Sequence, residues 1–126
     1  MTKKINETVT VLGNTYYALY RVNCAEGTYD MIKGSDYIVE RLAPQGEYAK
    51  LLETLSGVID EKTYKEFASS FSVENITHLV KNQIHNFGGD FLRRFGDRYK
   101  WVNVCVLYDD MLSENEVVLA FKEVDE

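Results

Sequence analysis

Residues 16–33 read YYALYRVNCAEGTYDMIK, and this stretch decides the fold class. Its first half, YYALYRVNC at 16–24, is rich in aromatic and β-branched residues, which suit a pleated, half-buried surface. Ala25-Glu26-Gly27 supplies a tight turn, with Gly27 free to take a positive φ. Residues 28–33, TYDMIK, resume an extended pattern. Two such runs around a glycine turn predict a β-hairpin at the front of the domain.

Before the hairpin, Ile5, Val9 and Leu12 are spaced four and three apart, which puts them on one helical face. An amphipathic helix is expected over 1–15, stopped by Gly13-Asn14, although the β-branched run Thr8–Val11 opposes it. After the hairpin, Gly34–Pro44 suits an irregular turn with a short helix or strand. Tyr48, Leu51, Leu52 and Leu55 then fall at helical spacing. Asp60 can cap a second helix carrying Tyr64, Phe67, Ala68 and Phe71 on one face. Ser72 can cap a third, running through Ile76, Leu79, Val80 and Ile84 to Phe87, with Gly88-Gly89 as its stop. Three strands are expected next, over 91–95, 99–108 and 117–124. Gly96-Asp97 turns between the first two, and the polar loop DDMLSENE (109–116) precedes the last. Strands and helices are segregated along the chain, which predicts a layered α+β domain with an antiparallel sheet.

The 126 residues fit one domain around one core. The net charge is −6, and the densest basic clusters are only Lys3-Lys4 and Arg93-Arg94. Nucleic acid is excluded as a partner on that ground, because phosphate binding needs a clustered positive surface. No apolar stretch approaches the length of a membrane span. The start, MTKKINETVTV, lacks an apolar secretory core, so a cytoplasmic location is expected. Cys24 and Cys105 sit in apolar segments and are expected to be reduced, buried thiols.

The order of elements resembles that of PAS domains, especially those upstream of diguanylate cyclase and histidine kinase domains in bacteria. Four stretches carry the resemblance: YYALYRVNCAEGTYDMI, GEYAKLLETLSGVIDEKTYKEF, FLRRFGDRYKWVNVCV and VVLAFKEVDE. The Gly96-Asp97 turn followed by Trp101 is its strongest part. The resemblance implies an N-terminal helix over 1–15 and a PAS-like sensor domain over 16–126. That domain would hold a five-stranded antiparallel sheet in order 2-1-5-4-3, with helices on one face. It also implies a ligand pocket between helices and sheet, dimerisation, and a covalently attached output domain. In that strand order Cys24 and Cys105 would stand two strand spacings apart, roughly 9–10 Å, beyond disulfide reach. The charged end, KEVDE, is read as a strand running on into a further segment.

Each candidate for chemistry has a plainer reading. GGDFL at 88–92 resembles a cyclase motif but has Phe91 where the motif needs an acid, so no catalytic role is assigned. His78 and His85 lie two helical turns apart, and some PAS domains hold haem through a histidine there. His78 sits off the centre of the expected core stripe, so exposed or partly buried histidine is the preferred reading and haem is not expected. Asn23-Cys24 resembles the flavin-site pair of photoreceptor PAS domains but stands at the end of a strand, so flavin is not expected either. The acidic loop lacks the alternating ligands and central glycine of a calcium site, and the histidines and cysteines lack zinc spacing. Tyr20, Tyr64, Phe71, Phe87 and Trp101 are the candidate pocket lining, with a filled aromatic core as the favoured alternative.

The expected function is a non-catalytic sensory domain that binds a small ligand or dimerises through its N-terminal helix to control a cyclase or kinase. The alternatives are a stand-alone small-molecule-binding protein or enzyme with a pocketed α+β fold, and a protein-interaction module with a filled core.

Overall fold

The computed structural model describes residues 16–85, 87–108, 112 and 115–124. The helix expected over 1–15, and with it the expected dimer contact, lies outside the described residues, as does most of the 109–116 loop.

The hairpin forms as β1 (Ala18–Asn23) and β2 (Thr28–Lys33), with Val22 opposite Tyr29 and Asn23 opposite Thr28. On its other side β1 pairs with β6 (Glu116–Glu123), from Ala18 opposite Phe121 to Asn23 opposite Glu116. β6 in turn pairs with β5 (Arg98–Leu107), and β5 with β4 (Gly88–Phe95). The front hairpin and the rear strands therefore share one sheet.

That sheet is not the five-stranded PAS-like one implied by the resemblance. A further strand, β3 (Gln45–Glu47), pairs with β2 and gives six antiparallel strands in order β3-β2-β1-β6-β5-β4. β3 has three residues and no apolar alternation, so periodicity could not reveal it. Tertiary bonds hold it: the Tyr29 hydroxyl donates to the Ala43 carbonyl at 2.7 Å, and the Met31 amide to the Pro44 carbonyl at 2.7 Å.

Four helices are described: α1 (Asp36–Val39), α2 (Tyr48–Leu55), α3 (Glu61–Ser70) and α4 (Val73–Lys81). Both expected caps form. The Asp60 carboxylate accepts from the Lys62 amide at 3.2 Å, and the Ser72 hydroxyl from the Asn75 amide at 3.1 Å. α4 stops at Lys81 rather than near Phe87, and the chain leaves it through Gln83 at φ 54°. Gly88-Gly89 accordingly opens β4 instead of ending a helix. Gly88 runs so close to β5 that a Cβ there would stand 2.7 Å from the Val104 carbonyl oxygen.

The core fills the space between the sheet and the helices. Ala18, Tyr20 and Val22 of β1 meet Val117, Leu119 and Phe121 of β6 and Val102, Val104 and Val106 of β5. From the helices come Tyr48, Leu51 and Leu55 of α2, Phe67 of α3, and Ile76 and Leu79 of α4. Phe67 lies at its centre, with the rings of Phe71 and Phe91 both 5.3 Å away. The opposite face carries exposed Tyr99 and Trp101 on β5 and a cross-strand contact in which Asn103 donates to Asp90 at 3.0 Å.

A candidate ligand-binding cleft

The aromatic residues proposed from sequence do not enclose a chamber. Tyr20 and Phe71 are fully buried in the core, and Phe87 packs at its edge, 5.8 Å from Phe71. Tyr64 is partly buried, and its hydroxyl donates to the Leu52 carbonyl at 3.0 Å. Trp101 stands apart from these four, on the far face of the sheet and 44% exposed. The histidines are surface residues. His78 lies 3.2 Å from the Asn82 side chain, and His85 stacks on Tyr108 at 4.4 Å. Both thiols are free and half-buried, and burial pushes each above its ordinary pKa. Among the described residues no cluster of histidine, cysteine and carboxylate side chains is disposed to hold a metal.

The site worth building lies instead where β4 turns into β5. An open cleft of about 620 Å³ is formed there by four separate pieces of chain. Arg93, Arg94 and Phe95 come from the end of β4, and Gly96 from its turn, at φ 65°. Gly34, Ser35, Asp36, Tyr37 and Arg41 come from α1 and its flanks. Tyr17 comes from the approach to β1, and Val58 from the loop after α2. A left-handed glycine lets the β4–β5 hairpin turn tightly here.

Arg93 forms the floor, and it is the one buried charged residue among those described, at 3% exposure. Long cationic side chains are rarely buried to this extent without an acidic partner. Arg93 has none: the ion pairs among the described residues join Arg21 to Glu116, Arg41 to Glu40 and Lys100 to Glu123. Its Nη1 donates to the Arg94 carbonyl at 3.1 Å and its Nη2 to the Ser35 hydroxyl at 2.9 Å. Its Nε is buried and has no acceptor. The guanidinium is held over the Phe95 ring at 4.3 Å and lies 5.4 Å from the Tyr17 ring. Stacking on aromatic faces returns part of the lost hydration, about 0.5–2 kcal/mol per contact.

A second orphan lies beside it. The Tyr17 hydroxyl is buried with no hydrogen-bond partner. Burial pushes its pKa well above the ordinary tyrosine value, against the opposing pull of Arg93 and with Glu123 adding to the rise, so it keeps its proton. The two other arginines are already engaged. Arg94 donates to the Gly57 carbonyl at 3.3 Å, and Arg41 donates to the Tyr37 carbonyl at 3.0 Å while lying 3.7 Å over the Tyr37 ring. With Asp36 the only carboxylate lining it among the described residues, the cleft is locally cationic in a chain of net charge −6.

A second open cleft, about 470 Å³, lies at the other end of the helices, between Cys24, Thr77, Lys81, Gln83 and Asn115. It has no buried charge. No family model, curated protein or solved structure matches this chain, so the reading of its function rests on the cleft itself.

Sequence reasoning noticed Arg93 only as half of a basic pair. Its alternation within β4 puts Phe91, Arg93 and Phe95 on the core-facing side, and an arginine at such a position is a signal that could have been followed.

Proposed function

We propose that this domain is a non-catalytic regulatory module that takes a small molecule into the Arg93 cleft. The observation that carries the reading is a guanidinium at 3% exposure, without an ion-pair partner among the described residues, at the floor of an open cleft. A buried charge of this kind is expensive to the fold by several kcal/mol, roughly, unless something compensates it. A ligand that does so stabilises the folded state by mass action.

The absence of catalysis belongs to the same reading. Among the described residues the cleft lining contains neither histidine nor cysteine, and its one aliphatic hydroxyl, Ser35, is bonded to a guanidinium rather than to a base. No described helix is long and apolar enough to cross a membrane. Within this reading the domain works in the cytoplasm, dimerises through its N-terminal stretch, and biases an output domain such as a cyclase or kinase. Tyr17 supports such coupling, because it lines the cleft and follows directly on that stretch. The five-stranded PAS architecture plays no part in the proposal.

A second reading has its own observation. Tyr99 and Trp101, 54% and 44% exposed on the face away from the helices, suit a protein-interaction surface.

Native mass spectrometry of the purified full chain separates the two. The ligand reading expects a small molecule that co-purifies with the wild type and is absent from Arg93→Met. A folded wild-type chain that neither retains a small molecule nor gains thermal stability from any member of a metabolite library would refute it.

A further inference from the structure

Resting on that reading, we infer that the ligand is a small monocarboxylate with a flat apolar body. The first argument counts hydrogens. An arginine side chain has five N–H donors, and two of those on Arg93 are committed, to the Arg94 carbonyl and the Ser35 hydroxyl. Three remain, including the Nε–H that has no acceptor. The Tyr17 hydroxyl, also without a partner, adds a fourth. Ser35 accepts from Arg93, which leaves its own proton to donate. Around the Arg93 fork the site therefore offers donors that its own carboxylate does not meet, since Asp36 makes no ion pair with Arg93. An ionised carboxylate is acceptor-only, with two oxygens and about four lone-pair positions, and it matches an arginine fork in plane.

The second argument is charge. The floor holds a single unpaired cation, and Asp36 on the wall is a carboxylate with no ion pair of its own among the described residues. Arg94 and Arg41 lie at the rim, exposed and bonded to carbonyls. A monoanion balances the floor charge by itself, whereas a phosphate dianion would have to draw on Arg94 and Arg41, whose side chains already donate to carbonyls.

The third argument is shape. Tyr17 and Phe95 meet edge to face at 5.4 Å, and Val58 and Tyr37 also line the cleft. Rings and a branched aliphatic make walls that favour a planar apolar body over a hydrated one. The carboxylate would sit at the Arg93 fork with this body against Phe95.

The test uses the full chain, isotopically labelled, with the Arg93 Nε–H and the Tyr17 and Ser35 amides as reporters. Benzoate is titrated against benzamide (its neutral amide), acetate and inorganic phosphate. Benzoate is expected to move all three reporters and to bind about tenfold or more tighter than benzamide, which lacks the charge. Acetate, lacking the apolar body, and phosphate are both expected to be weaker than benzoate. Tyr17→Phe is expected to weaken benzoate several-fold while the chain stays folded, and Arg93→Met to abolish binding. Benzamide or phosphate equalling benzoate at these reporters would overturn the ligand class and leave the cleft as a binding site. Reporters unmoved by every probe overturn the ligand class, and joined to a native mass spectrum without a bound molecule they overturn the functional reading as well.

Discussion

The space beneath the helices and the cleft beside the β4–β5 turn are built from the same kinds of residue and follow opposite rules. Under the helices, ring meets ring and the buried hydroxyl of Tyr48 donates to the Phe71 carbonyl at 2.6 Å. At the cleft, the equally aromatic surroundings of Arg93 leave the Tyr17 hydroxyl and the Arg93 Nε without acceptors. Buried polar groups are nearly always satisfied, because an orphan loses its hydration for nothing. Tyr48 is therefore architecture, and Tyr17 and Arg93 are groups held ready for something that arrives. Richness in aromatic side chains does not separate the two regions; satisfaction of their polar atoms does.

The contrast can be broken most forcefully from the core side. Phe67→Ala is expected to destabilise the fold by about 3–5 kcal/mol, since it empties a position at 0% exposure. Urea denaturation would show it as a large drop in midpoint with an unchanged slope. Tyr48→Phe comes next, with a loss of about 1–3 kcal/mol, because the Phe71 carbonyl is left buried and unpaired. Smaller for each group, and gradual, is the effect expected from alkali. Burial raises Tyr17, Tyr20 and Tyr48 above the ordinary value of 10.0. Above that pH the unfolded chain ionises these groups and the folded chain does not. The share of stability due to these tyrosines should hold constant below pH 10 and fall above it, by at most about 1.4 kcal/mol per pH unit for each, on top of a decline that the raised thiols of Cys24 and Cys105 begin near their ordinary value of 9.0. Denaturation followed across that range would show no added fall above pH 10 if the three hydroxyls were in fact solvated. Smallest of all, Tyr17→Phe should change stability by about 0.5 kcal/mol or less, because its hydroxyl bonds to nothing. A loss as large as that of Tyr48→Phe would erase the distinction between the two regions.

Much of the layout could be read from the chain because it depends on neighbours in sequence. The 16–33 hairpin, the caps Asp60 and Ser72, and the apolar spacing of Tyr48, Leu51 and Leu55 all express local periodicity and local hydrogen bonding. β3 was hidden because its strand character comes only from lying against β2. Periodicity overruns the end of α4, because Ile84 and Phe87 extend an apolar rhythm past the point where the chain leaves the helix at Gln83. Trp101 was placed in the interior on its chemistry, whereas alternation along β5 turns it outward beside buried Val102. The cleft was the least legible part. Ser35 reaches Arg93 across 58 positions, and neither residue carries a pattern that announces the other. An unpaired buried charge is a property of three-dimensional neighbours, and no spacing rule encodes it.

The two borders of the sheet have a consequence for how the molecule can associate. β3 is a three-residue border next to Pro44, and β4 is flanked by the Ile59 bridge to Arg93, with the Arg94 amide already donating to the Val58 carbonyl at 2.7 Å. The β3 margin is short, and the end of the β4 margin at Leu92–Arg94 is already bonded, which leaves shorter free rows of donors and acceptors for another strand to zip onto. Self-association face to face or through segments outside the sheet is favoured over lateral growth into extended ribbons, which both margins discourage.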